Sequence, residues 1–205
     1  MTAAKNVAIL IIAAGASSRM GSPKQLLTWR NTTLLGHAIQ QAVQANAQEV
    51  FVVLGANYER IYPTISSQNI SILKHKQWAK GMGTSIAFGI SQFMHRDFEG
   101  ALIMLADQPQ VTTNYLNQLI EQFESGQQQL IATSYTNAKI GVPALFDASY
   151  FAQLMALEGD KGAKKVIQQH AEFITLVEPE EELVDIDTME EYEQLVRRMQ
   201  HKGSN

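Results

Sequence analysis

The sequence predicts an α/β fold, a three-layer α/β/α sandwich on a mainly parallel sheet, and three observations lead there. Unbroken apolar runs stand at Val7–Ala14, Val50–Leu54 and Ala101–Leu105. Such runs, rather than alternating ones, mark strands covered on both faces. Each run stops at a residue suited to a turn: Gly15, Gly55 and the Ala106-Asp107 pair. Between them, apolar residues recur at helical spacing. The 205 residues contain no linker, repeat or low-complexity stretch, so a single domain over 1–205 is expected, with a polar tail from about residue 200.

The elements follow in order. After the first strand, Leu34, Leu35, Ala38, Ile39, Ala42 and Val43 give the inward stripe of a helix. Val50–Leu54 is the second strand, and Ile70–Leu73 a short third one. Ile86, Ile90 and Phe93 mark another helix. The run Ala101–Leu105 precedes a helix opening at Thr112 or Thr113, with Leu116, Leu119, Ile120 and Phe123 inward. Leu130–Thr133 and Phe173–Val177 read as strands. Between them, Tyr150, Phe151, Leu154 and Leu157 suit one helix, and Val166 and Ile167 another. Thr188 and Glu191 have the spacing of a capping box for a last helix carrying Met189, Tyr192, Leu195, Val196 and Met199.

Bulk chemistry narrows the function. The formal charge is −4 with no basic run, which argues against tracking a nucleic-acid backbone. There is no cysteine, which excludes disulfides, thiolate catalysis and zinc–thiolate sites. The five histidines lack metal-ligand spacing. The run Val7–Ala14 is too short to cross a bilayer, and with only Lys5 before it and a glycine-rich loop after it, it reads as a buried strand. A cytoplasmic protein without membrane or nucleic-acid partners is the expectation.

The loop after the first strand, Ala13-Ala-Gly-Ala-Ser-Ser-Arg-Met-Gly-Ser-Pro-Lys24, lies where ligands bind in open α/β sheets, beyond the carboxyl end of a strand. Gly15 and Gly21 permit close backbone approach. Loop amides cradle phosphate oxygens, Ser17 and Ser18 add hydroxyls, and Arg19 and Lys24 add positive charge. Neither a P-loop nor a G-x-G-x-x-G fingerprint is present. A plain strand-to-helix turn is the competing interpretation. Asp107 should point into the same crevice, although Asp before Pro109 also suits a turn. Magnesium takes a few carboxylates together with phosphate oxygens and water. Asp185 and Asp187 flank Ile186 and would share one face if that stretch were extended.

These motifs resemble the signature of the nucleotidyltransferase superfamily with a Rossmann-like, nucleotide-diphospho-sugar transferase type fold. Lys24-Gln-Leu-Leu27 with Leu34-Leu35 is similar to the branch of molybdenum cofactor cytidylyltransferases and related MobA-like proteins. The resemblance continues through Trp78-Ala-Lys-Gly-Met-Gly-Thr-Ser85, Leu105-Ala-Asp-Gln-Pro109, Gly141–Phe146, Gly159–Ala163 and Asp185-Ile-Asp-Thr188. It implies nucleotide contacts from Ala13, Ala14, Gly15, Ala16, Ser17, Ser18, Arg19, Gly21 and Lys24, and from His75, Gly81, Ser85 and Asp107. It assigns catalysis to Lys24, Arg19 and Asp107, and Mg2+ to Asp107 with Asp187, Asp185 being the alternative. Gly141, Pro143 and Asp160 fall on the acceptor side. His75 stands where the family usually has Asn, and Val142 where it often has His.

The implied reaction moves a nucleotidyl group, with CTP favoured, to a phosphorylated acceptor such as molybdopterin, releasing pyrophosphate. A molybdoenzyme would then receive the product. A GTP-using guanylyltransferase, a sugar-phosphate or isoprenoid-precursor nucleotidyltransferase, and a non-catalytic nucleotide or pterin carrier remain as alternatives.

Overall fold

The computed structural model describes residues 5–202. Its main sheet has seven strands: β1 (Val7–Ala13), β4 (Glu49–Leu54), β5 (Ser71–Lys74), β6 (Gly100–Leu105), β7 (Leu130–Ser134), β8 (Ile140–Asp147) and β9 (Ile174–Val177). A two-stranded ribbon, β2 (Thr28–Trp29) with β3 (Thr32–Thr33), stands apart from it. The order is β5-β4-β1-β6-β8-β7-β9, and β8 alone runs antiparallel to its neighbours β6 and β7.

The unbroken apolar runs have a direct physical cause. Side chains alternate across a strand, so a strand with helices on both faces needs apolar residues at every position. Val7, Ile9, Ile11 and Ala13 of β1 join one core with α1 (Leu34–Val43), α2 (Tyr58–Ile65) and α4 (Thr113–Glu121). Ala8, Leu10, Ile12 and Ala14 join the other with α3 (Met82–Ser91), α5 (Phe151–Met155) and α6 (Lys164–Gln169). A third cluster packs Met20, Trp29, Leu34 and Ile186 against Tyr192, Leu195, Val196 and Met199 of α7 (Met189–Lys202).

Capping follows the sequence closely. Thr33 accepts from the Gly36 amide at 3.0 Å, and Thr112 from the Tyr115 amide at 3.2 Å. At α7 the Glu191 amide donates to Thr188 Oγ1 at 3.2 Å, while the Thr188 amide donates to Glu191 Oε2 at 2.8 Å, the expected reciprocal box.

Several local features depart from the sequence reading. The segment from Gly141 to Phe146, to which the sequence assigns no element, lies within β8. Proline is disfavoured inside sheets except at bulges. Val142 and Pro143 occupy such an irregularity, because the β7–β8 register passes from Ala132↔Ala144 to Thr133↔Gly141. Helix α2 contains Pro63 and buries only Ile61 and Ile65, too weak a stripe to stand out. Val43 and Met189, placed inward by spacing, are exposed at the ends of α1 and α7. Helix α7 continues to Lys202, and the rest of the expected polar tail lies outside the described residues. Among the described residues no helix is long and apolar enough to cross a membrane.

The chain moves from β1 to β4 on one side and later returns to place β6 on the other. The strand order therefore reverses between β1 and β6, and such a reversal opens a crevice at the carboxyl ends of the strands. The loops carrying Lys24 and Asp107 leave those two strands.

Candidate active site

The loop after β1 is folded back on itself. Ser17 takes a left-handed backbone, φ 55°, a short 3-10 turn spans Ser18–Met20, and Gly21 closes it at φ 66°. Met20 anchors the turn in the third core. Gln25 is buried, and its amide Nε2 donates to the carbonyls of both Ala13 and Gly15 at 2.9 Å. The Lys24 amide donates to Ser17 Oγ at 3.1 Å. These bonds draw Lys24 back against the end of β1.

There Lys24 enters an ionic cluster built from three distant stretches of chain. Its Nζ donates to Asp107 Oδ2, to the Ile186 carbonyl at 3.0 Å and to Asp187 Oδ1 at 3.1 Å. Arg19 Nη1 reaches Asp187 Oδ2 at 3.3 Å. The Ile186 amide donates to the Asp107 carbonyl at 3.1 Å, which ties the late segment to the loop after β6. The Lys24 and Asp107 side chains are 19% and 13% exposed, against 73% and 46% for Arg19 and Asp187.

The charges bear on one another. Burial opposes the Lys24 charge, yet Asp107 and Asp187 outweigh it and hold the ammonium above the ordinary lysine range. Burial pushes the Asp107 carboxyl up by more than Lys24 pulls it down, and Asp185 adds to the rise. Asp187 loses some solvation, but Lys24 and Arg19 hold it below the usual carboxylate range. Asp107 Oδ1 is buried without a hydrogen-bond partner. An orphaned carboxylate oxygen is costly unless another group meets it.

Two cavities meet at this cluster. The first, of about 330 Å3, is lined by Ile12, Ala13, Ala14, Gly15, Lys24, Trp78, Gly81, Ser85, Asp107 and Asp160. Trp78 lies over Gly55, where an added Cβ would come within 2.4 Å of the Trp78 Cβ. Gly81 has φ 111°, and a Cβ there would fall 2.4 Å from the Gly159 carbonyl. The Gly83 amide donates to that carbonyl at 2.7 Å. Close packing of this kind holds the 158–160 loop on the first turn of α3 and brings Asp160 to the cavity wall.

The second cavity, of about 650 Å3, shares Met82, Leu105 and Asp160 with the first. Gln108, Tyr135, Gly141, Val142, Lys139, Lys161, Lys164, Asp185 and Asp187 line it. Gln108 Nε2 donates to Asp185 Oδ1 at 2.7 Å and to the Tyr135 hydroxyl at 2.7 Å, while its buried Oε1 has no partner. Burial, with Asp185 nearby, raises the Tyr135 hydroxyl well above an ordinary tyrosine. Tyr135 in turn donates to the Val142 carbonyl.

The residues singled out in the sequence thus sort by position. Ala13, Ala14, Gly15, Lys24, Gly81, Ser85 and Asp107 line the first cavity. Ala16, Ser17, Ser18, Arg19 and Gly21 belong to the folded-back loop beside it rather than to its wall. Asp187, not Asp185, meets Lys24. Gly141 lines the second cavity, whereas Pro143 is buried beneath it and accepts from Thr133 Oγ1 at 2.6 Å. His75 does not face the first cavity. It stacks on Phe88 at 4.8 Å, sits 3.2 Å from Thr84 Oγ1, and lines a separate cavity of about 830 Å3 behind the Trp78–Lys80 turn. Burial and then Lys80 hold its pKa below the ordinary histidine value.

Gln25, Gln108 and Tyr135 were not singled out. Neutral amides carry no signal of type, and only their place beside motif residues, after Lys24 and after Asp107, hinted at them.

The family model described as the MobA-like NTP transferase domain matches residues 9–173. The chain belongs to this family. Its match includes Lys24 and Asp107 and ends before Asp187. This MobA-like domain is a nucleotidyltransferase enzyme, with the α/β fold expected from the sequence. It is 28% identical over 195 residues to nicotine blue oxidoreductase of Paenarthrobacter nicotinovorans, covering 91% of this chain and 95% of that one. It is 29% identical over 114 residues to a protein of Bacillus mycoides (strain KBAB4) named "Probable molybdenum cofactor guanylyltransferase", covering 55% of this chain and 54% of that one. Among solved structures, the manganese complex of Rv0371C from Mycobacterium tuberculosis H37Rv superposes with a TM-score of 0.80 at 25% identity, over 94% of this chain and 99% of that one.

The donor set of this MobA-like domain fits a hard divalent ion. Among the described residues no group of three acidic, His or Cys side chains could form an all-protein cage. Two carboxylates, one with an oxygen left unpaired, suit a divalent ion that completes its shell with phosphate oxygens and water.

Proposed function

We propose that this domain transfers a nucleotidyl group, CMP from CTP in the favoured case, to a phosphorylated acceptor of the molybdopterin type, releasing pyrophosphate. One observation carries the reading: Lys24, Asp107 and Asp187, from three separate stretches, converge where two cavities join. A triphosphate in the first cavity and an acceptor in the second would meet there. The cytidine preference rests on the Lys24–Leu27 and Leu34–Leu35 resemblance. The Bacillus mycoides relative, by its name, keeps GTP as the second reading.

In this mechanism the Ala13–Gly15 backbone and Ser85 bind the nucleotide. Lys24 holds the α-phosphate and stabilises the charge that builds as the acceptor phosphate attacks. The exposed Arg19 and the loop amides from Gly15 to Gly21 steady the β and γ phosphates. Asp107 and Asp187 would hold Mg2+, or Mn2+, the ion named with Rv0371C, which when bound would neutralise phosphate charge. Gly141, Val142 and Asp160 face the acceptor. A phosphate nucleophile is already ionised near neutral pH, so no side chain has to remove a proton. Positioning and electrostatics then supply most of the rate. We place the reaction in the cytoplasm, assign it to residues 1–205 as one unit, and infer a molybdoenzyme as recipient of the product.

The test is pyrophosphate release with each of the four triphosphates, Mg2+ or Mn2+, and molybdopterin or sugar and isoprenoid phosphates. CTP with molybdopterin should be the most active pair. Lys24→Ala and Asp107→Asn should each cut turnover by about 10²-fold or more. Pyrophosphate release unchanged in both variants would remove the reading, and binding without release would make the chain a carrier.

A further inference from the structure

The ammonium of Lys24 touches both carboxylates. Its three N–H donors meet three acceptors: Asp107 Oδ2, Asp187 Oδ1 and the Ile186 carbonyl. A lysine ammonium has three donors, so none is left over. Arg19 takes the remaining oxygen of Asp187. Two positive side chains thus face two negative ones, so these four balance without any ion, while Asp185, held nearby by Gln108, adds a further negative charge. Only Asp107 Oδ1 is left without a partner.

We propose that Lys24 is the resident counter-ion of this site, and that it makes divalent-ion binding conditional on the triphosphate. The inference rests on the reading of Asp107 and Asp187 as metal ligands. A divalent ion arriving alone meets carboxylates already paired with Lys24 and Arg19, with only Asp107 Oδ1 open, and to bind both it would make Lys24 give up three bonds inside a half-buried site to no compensating anion. A triphosphate changes the balance. It brings several negative charges next to the Lys24 side chain, whose flexible four-carbon stem lets the ammonium swing from carboxylate to phosphate. That movement frees Asp107 and Asp187 while the phosphate oxygens supply further ligands. Nucleotide and ion therefore bind cooperatively, and by linkage each strengthens the other equally. Lys24 has two posts in this scheme, one on the carboxylates before substrate arrives and one on the α-phosphate afterwards. Free metal would not lock the empty site.

The test reads Mn2+ binding by the electron paramagnetic resonance signal of the free ion, without turnover. Wild type, Lys24→Met and Lys24→Gln are titrated alone and with the α,β-methylene analogues of CTP and GTP, after thermal melts show that each variant folds. Wild type should bind Mn2+ weakly alone and about tenfold or more tightly with an analogue. Both Lys24 variants should bind Mn2+ alone about tenfold more tightly than wild type, and gain less from the analogue. Equal Mn2+ affinity in wild type and both variants, lost on Asp107→Asn, would overturn the counter-ion role and leave the metal site standing. Mn2+ binding unaffected by Asp107→Asn would overturn the metal-site reading and this inference together.

Discussion

Gln25 has no charge to offer a substrate, yet it is buried and both its amide hydrogens go to carbonyls at the end of β1. Its Oε1 accepts from Ser17 Oγ at 3.4 Å, so one side chain joins both ends of the folded-back loop. Removing it takes a partner from the buried Ala13 carbonyl and from that of the exposed Gly15, and an unsatisfied buried acceptor costs about 1–3 kcal/mol. Gln25→Leu should therefore lower stability by about 2 kcal/mol in urea denaturation. It should also raise KM for the triphosphate more than it lowers kcat, because the loop loses its shape while Lys24 keeps its charge. An unchanged KM would mean that the loop holds itself without Gln25. The charged residues of the same loop were readable in the sequence, since Arg and Lys after glycines suit a phosphate. Gln25 was not, because its role depends on two carbonyls that only the fold brings within reach.

Helix α7 links stability to the site at the scale of one element. Its capping box sits one residue after Asp187, and Glu191 Oε2 also accepts from the Asp187 amide at 2.9 Å. That backbone bond, with those from Thr188, holds Glu191 below its ordinary value of 4.5. A carboxyl with a lowered folded pKa binds fewer protons folded than unfolded. Its contribution is complete above the unfolded value and is lost as pH falls through the folded one. Thr188→Ala should cost about 1 kcal/mol at neutral pH. Glu191→Ala should lower Tm at pH 7, and the gap from wild type should shrink as pH falls below the ordinary 4.5 and through the lowered folded value, since wild type then loses the same carboxylate. A gap that widened in acid would refute the assignment of the lowered pKa to this cap. This helix start was legible because Thr and Glu three apart state their own geometry. Strand β8 was not, because Val142-Pro143 resembles a loop until the bulge opposite Ala132 and Thr133 accommodates it.

Over the whole molecule, legibility followed burial. The parallel strands β1, β4 and β6 are covered on both faces, so every position had to be apolar and the runs stood out. The antiparallel insertion of β8 between β6 and β7 rests on its long-range pairing with β6, which leaves no local trace. The same holds for the site. Lys24 and Asp107 could be placed separately beyond the ends of two strands. Their contact, and the contact of Asp187 rather than Asp185 with Lys24, appear only once the fold docks the late segment on Asp107 through the Ile186 amide. His75 is a different case: its place in a motif suggests a nucleotide contact, whereas the fold stacks it on Phe88 and has it line a separate cavity.

Position of the label after a single turnover separates nucleotidyl transfer from phosphoryl transfer at this site. With [α-32P]CTP, a divalent ion and molybdopterin, the label should move to the acceptor product, whereas label in the γ position should leave as pyrophosphate. Both transfers should fall by about 10²-fold in Asp107→Asn. Label remaining in CTP, or passing to the acceptor from the γ position, would contradict nucleotidyl transfer at this site.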